Sequence, residues 1–132
     1  MSYLLIALGS ALGGVARYWA SGFVAERVGE VFPWGTLSVN VVGSFLIGIL
    51  GALSEADARW YIDPGTRQFL MIGVLGGFTT FSSFSLQTLQ LLRDGQWIYA
   101  ATNIVLSVLS CLIAVWLGFL LVSSFNQWRG TW

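Results

Sequence analysis

Apolar residues run through this chain in four long stretches. The first extends from about Tyr3 to Ala25, the second from Gly35 to Leu53. The third runs from about Arg67 to Leu92, and the fourth from Trp97 to Ser124. A helix needs about 20 residues to cross the hydrocarbon of a bilayer. All four stretches qualify, the second only just. The third is longer than needed, which leaves room for a break. Short polar segments separate them: "ERVGEVFP" (Glu26 to Pro33), "EADARWYIDPG" (Glu55 to Gly65) and the tight turn "RDGQ" (Arg93 to Gln96). Trp34, Trp60, Tyr61, Trp97 and Tyr99 fall at span ends, where an interfacial aromatic belt places them. The pattern predicts an all-α integral membrane protein, a single domain of four spans over residues 1–132.

Small and polar residues inside the spans are ordered too. Ser10, Gly14, Arg17 and Ser21 fall at helical spacing on the first span, and Thr36, Asn40 and Gly43 on the second. Asn103, Ser107, Ser110, Ala114 and Gly118 do so on the fourth. Such faces let membrane helices approach closely and bond across one another. That explains the glycines and alanines better than the amides, because an unsatisfied Asn in hydrocarbon is expensive. Arg17 is the one charge well inside a span. It has three possible uses: balancing an anion, holding carbonyls at a helix end, or snorkelling to the interface.

The third stretch contains "GVLGGFTTFSSF", Gly73 to Phe84. A glycine in a helix interior costs about 1 kcal/mol against alanine. A break near Gly76 to Thr79 is therefore expected. It would free carbonyls and amides at membrane depth, which is tolerated only where protein or water covers them. Freed carbonyls suit a cation, and the N-terminus of a second half-helix favours negative charge. Phe81 and Phe84, three apart, share a face. Their ring edges are positive and could attract a small anion. The alternative is a glycine packing groove with both phenylalanines turned to lipid. The residues alone leave both readings open.

Composition then narrows the function classes. The chain is 56% hydrophobic and 9% charged, against about 25% charged in a soluble domain. Net charge is zero, so nothing suggests nucleic acid. With no His and one Cys, Cys111, there is no internal disulfide, His ligand cluster, Cys–His dyad or Ser–His triad, and an enzyme is not expected. The start "MSYLLIALGS" lacks a basic segment, so no cleavable signal peptide is expected. No acid lies within a span, which weakens proton-coupled transport. The remaining hydroxyls, amides and ring edges suit an anion. Arg59, Arg67 and Arg129 lie on one side of the membrane, and Arg27 and Arg93 on the other. So small a bias permits insertion either way up, hence an antiparallel homodimer. Four short helices also enclose little space for a pathway within one subunit.

The blocks "GGVARY" (Gly13 to Tyr18), "WGTLSVNVVGSFLIG" (Trp34 to Gly48) and "GVLGGFTTFSSFS" (Gly73 to Ser85) stand in an order and spacing that resembles the Fluc (CrcB) family of fluoride channels. The resemblance covers all four spans. It implies an antiparallel, dual-topology homodimer in a bacterial inner membrane, with two fluoride pathways and a third helix broken at mid-membrane. It implies a structural Na⁺ on the two-fold axis, held by backbone carbonyls that match Gly76 and Thr79 here. Phe81 and Phe84 match the family's phenylalanine box, Asn40 its pore asparagine, Arg17 its vestibule arginine and Ser107 the serine of its fourth-helix polar track. Thr80, Ser82 and Ser83 are further donors. Two positions depart from the pattern: Asn103, which is Tyr in some relatives, and Gln87, which is Glu in some. The implied function is passive export of cytoplasmic fluoride. Two alternatives differ in class: a proton-coupled exporter of fluoride or small molecules, and an assembly protein whose polar faces only bind helices.

Overall fold

The computed structural model describes residues 1–128 except 56 and 59. Arg59 and Arg129, used in the charge balance, and the end of the "QWRGTW" tail lie outside the described residues. The described residues form helices joined by short turns. They are α1 (Ser2–Val28), α2 (Trp34–Leu53), α3 (Pro64–Arg67), a π-helical segment (Gln68–Leu75), α4 (Gly76–Phe78), α5 (Phe81–Arg93) and α6 (Trp97–Trp128). From Pro64 to Arg93 the chain is one span in several pieces. With α1, α2 and α6 it makes four helices long and apolar enough to cross a membrane.

Local chemistry sets the ends. Gly29, at φ 92°, stops α1, a conformation that favours glycine. α1 thus runs past Ala25 and takes Glu26 and Arg27 into its last turn. Arg27 lies over the Phe23 ring at 4.1 Å, and Phe23 stacks on Trp19, an interfacial ladder of amphipathic side chains. Phe32, between α1 and α2, packs on Trp34 at 4.7 Å and edge-on to Tyr99 at 6.1 Å. The loop is thereby fixed over the start of α6. Asp63 caps α3 by accepting from Thr66 N and Thr66 Oγ1, and these bonds hold its carboxyl below the usual range. Gly95, at φ 74°, makes the turn into α6.

Backbone contact through glycines holds the spans together. A Cβ on Gly9 would lie 2.6 Å from Phe69 O, and one on Gly77 would lie 2.6 Å from Ser10 O. Gly13 meets the Val74 carbonyl as closely. α1 and the first half of the third span therefore touch backbone to backbone. Gly48 on α2 and Gly118 on α6 do the same against Val115 O and Phe45 O. Such close approach is how helices associate where lipid removes the usual hydrophobic drive. The outward surface is apolar: Leu12, Trp116 and Leu121 are all exposed, as a surface facing lipid requires.

Candidate functional site

The helix break falls on the threonines rather than on the glycines. Gly76 and Gly77 remain helical in α4. Thr79 (φ −84°, ψ 156°) and Thr80 (φ −151°, ψ 113°) are extended. The reason is visible in the packing. Gly77 is pressed against α1, and its small size serves that contact, while β-branched threonine accepts extended backbone readily. The break needs an outside partner for its freed groups, and Asn40 supplies it. Asn40 Oδ1 accepts from Thr80 N at 2.7 Å, and Asn40 Nδ2 donates to Thr80 O at 3.0 Å. One amide on α2 thus replaces the helical bonds that Thr80 gives up.

Two carbonyls lose donors as a result. In an unbroken helix Thr80 N–H would bond Gly76 O and Ser83 N–H would bond Thr79 O. Thr80 N–H goes to Asn40 instead, and Ser83 N–H goes to Thr80 Oγ1 at 3.1 Å, the side-chain cap of α5. The Thr80 hydroxyl also lies 3.0 Å from Ser83 Oγ and 3.3 Å from Ser82 Oγ. Three hydroxyls therefore cluster at the N-terminus of a 13-residue helix, where the helix dipole is positive.

Two cavities meet at this point. The central one, about 470 Å³, is lined by Asn40, Gly76, Thr79, Phe81, Phe84 and Ser107, with Thr80 in its wall. Phe81 and Phe84 stand 5.3 Å apart with their rings tilted by 47°. Phe81 is 77% exposed, although it starts a helix in the middle of a span. The second cavity, about 460 Å³, lies on the other side of Thr80 and is lined by Arg17, Ser83 and Gln87. Gln87 Oε1 is buried there without a hydrogen-bond partner. A third, about 560 Å³, shares Ser21, Thr36 and Gln87 with the second, and is bounded by Glu30, Asp94 and Gln96 of the connecting turns. A series of polar spaces thus leads from one membrane face to the broken span.

Sequence-derived candidates therefore fall into groups. Asn40, Thr80, Phe81, Phe84 and Ser107 line one cavity with Gly76 and Thr79. Arg17 and Ser83 line the next. Ser82 is exposed and joins neither wall, touching the site only through Thr80. Behind Ser107 lies a chain of bonds that the sequence reading missed. Ser107 Oγ donates to Asn103 Oδ1 at 3.2 Å, Asn103 Nδ2 donates to Thr88 Oγ1 at 2.9 Å, and Thr88 Oγ1 donates to Phe84 O at 2.8 Å. Thr88 could have been found, since 81, 84 and 88 follow helical spacing. Among the described residues no cluster of His, Cys, Asp or Glu could hold a metal; backbone carbonyls are a separate donor class.

Comparison with known proteins agrees over nearly the whole chain. The family model for CrcB-like protein, Camphor Resistance (CrcB), matches residues 4–119. The chain is 58% identical over 130 residues to a fluoride-specific ion channel of Methylocella silvestris, covering 98% of this chain and 99% of that one. It is 57% identical over 129 residues to one of Opitutus terrae, covering 98% of each. It is 56% identical over 118 residues to one of Rhodospirillum rubrum, covering 89% of this chain and 92% of the relative.

Proposed function

The chain belongs to the CrcB-like family of multi-pass membrane proteins, and on that premise we propose that it is a passive fluoride channel, not an enzyme, exporting cytoplasmic F⁻ across a bacterial inner membrane. One observation carries the reading. A helix N-terminus, the Asn40 amide and the Phe81–Phe84 pair meet on a single cavity at mid-span.

Fluoride is small and strongly hydrated, so the pathway must replace its water. Arg17 sets a positive potential in the outer cavity and draws the anion inward. The Ser83 hydroxyl, held in place by the Thr80 hydroxyl that donates to it, takes over the first hydration bonds, with Ser82 joined to the cluster through Thr80. Asn40 Nδ2 carries two hydrogens, and Thr80 O uses one; the other can face the anion. The edges of Phe81 and Phe84 attract fluoride without offering a fixed charge, and Ser107 continues the line. Neutral donors bind firmly enough for entry and weakly enough for exit. A narrow route penalises chloride, whose larger radius fits the donors poorly.

The functional unit is an antiparallel homodimer with two pathways. Its support is the central cavity, which opens beside an exposed Phe81 and leaves a wall for a second copy to supply. A Na⁺ between the copies fits the carbonyls of Gly76 and Thr79, since each has yielded its helical N–H to another acceptor. Such an ion would tie two half-helices together and add positive potential near the anion.

Fluoride efflux from liposomes tests the reading. Efflux should be fast, follow the membrane voltage, need no proton gradient, and exceed chloride efflux. Slow efflux stoichiometric with proton uptake would replace the channel with a coupled exporter. Phe81→Ile should abolish flux while leaving dimerisation intact; unchanged flux would remove the ring edges from the mechanism.

A further inference from the structure

The bonds behind Ser107 have a direction, and that direction bears on the anion. Ser21, Ser38, Ser85, Thr88 and Ser110 each donate to the carbonyl four residues back, the usual habit of helical hydroxyls. Ser107 does not. Its hydrogen goes to the Asn103 side chain. A serine has a single O–H. With that hydrogen spent on Asn103, Ser107 turns lone pairs toward the central cavity, which repel an anion.

The chain can run the other way. Asn103 is 2% exposed, so its amide depends on these neighbours. The O and NH₂ ends of a carboxamide are nearly isosteric, so a half-turn keeps its shape. After the turn Thr88 O–H donates to Asn103 Oδ1, Asn103 N–H donates to Ser107 Oγ, and Ser107 O–H is released to the cavity. Three hydrogen bonds exist in each arrangement. In the second, the bond from Thr88 to Phe84 O is replaced by one from Ser107 to the anion. Phe84 O, inside α5, keeps its helical N–H. The new bond is charge-assisted and stronger than the neutral one it replaces.

We propose that Asn103 is a positioning residue, a rotatable amide that with Thr88 switches Ser107 from acceptor to donor when fluoride arrives. The inference rests on the reading above that Ser107 faces the fluoride pathway. Asn103 itself stays behind the wall, since it does not line the cavity. The device suits conduction. An empty site holds its hydroxyl satisfied internally, and the anion's departure restores that state, so no donor is left stranded.

Asn103→Asp is the informative substitution. Burial raises a carboxyl's pKa, so its titration moves toward neutral pH. Protonated, the side chain still offers one donor. Ionised, it only accepts, fixes the Ser107 hydrogen and repels fluoride. Few other groups can titrate nearby. The cavity at Ser107 has one titratable side chain, Cys111, and neither α2 nor α6 carries a charged residue. α5 carries Arg93 alone, at its far end.

The experiment is liposome fluoride efflux at about pH 5.5 and about pH 8, with dimer content checked by size exclusion. The parent should give equal flux at both. Asn103→Asp should match the parent within about twofold at the lower pH and fall about tenfold or more at the higher, a tenfold change being 1.4 kcal/mol, the scale of one hydrogen bond to a charge. Thr88→Val, which removes the far donor, should lower flux severalfold with the dimer intact. In a Ser107→Ala background, Asn103→Leu should add less than a twofold loss, because it acts through the missing hydroxyl. Full flux in Ser107→Ala alone would overturn the pathway reading and this proposal with it. Impaired Ser107→Ala beside pH-independent Asn103→Asp, or multiplicative losses in the double variant, would overturn the switch alone.

Discussion

The two halves of the third span are adjacent in sequence and opposite in design. Before the break, Gln68 to Phe78 is held by backbone. Gly73 and Gly77 lie against the glycine ridge of α1, with no room for a Cβ. After it, Phe81 to Arg93 is held by side chains: Asn40 to Thr80, the Thr80 cap, and Asn103 to Thr88. Backbone contact is rigid and makes no use of polar side chains. Side-chain bonds can be redirected, and they hold donors near the cavity. One crossing of the membrane therefore joins a fixed anchor to an adaptable lining, and the break is the border between them.

The sharpest test of that contrast uses two neighbours. Gly77→Val pushes a branched side chain into Ser10 O of α1 and should cost about 3 kcal/mol, the upper end for overpacking, read as a lost thermal transition and a dissociated dimer in detergent. Gly76→Ala, whose Cβ would meet only Met71 O at 3.8 Å, should leave monomer folding unchanged. Equal losses at both would erase the anchor. Next comes Asn40→Leu, which strands the Thr80 N–H and carbonyl; at about 1–3 kcal/mol per unsatisfied group it should lower the melting temperature and remove flux together. Preserved flux would mean the lining does not depend on this tether to α2. The smallest effect is Thr80→Val. It removes the cap of α5 at about 1 kcal/mol and should weaken flux more than stability, a ratio read by pairing efflux with thermal unfolding.

Much of this was legible in residue order. Four apolar stretches became four long helices, and Gly73 to Phe84 held the break. The glycines of that segment divide between packing and the cavity wall. Gly73 and Gly77 do pack, while Gly76 faces the cavity. Sequence could not separate them because glycine serves either purpose, and only the neighbouring helix decides. The break lies slightly beyond the glycines for the same reason. Asn40 was legible as a costly amide, but its bond to the backbone of Thr80, forty residues away, was not. Thr88 went unnoticed because one threonine on a polar half-helix carries no signal until Asn103 is seen beside it.

Unequal helix lengths have a consequence for the bilayer itself. α2 has 20 residues and α6 has 32, and both start at a tryptophan on the same side. At 1.5 Å per residue they measure about 30 Å and about 48 Å. The contacts of Gly48 with Val115 and of Gly118 with Phe45 set α2 beside the middle of α6, so α6 extends past α2 at both ends. In an antiparallel pair the start of one copy's α6 would lie in the same leaflet as the end of the other's. Each leaflet would then meet the same profile, and hydrophobic mismatch would be shared evenly whichever way up each chain had been inserted.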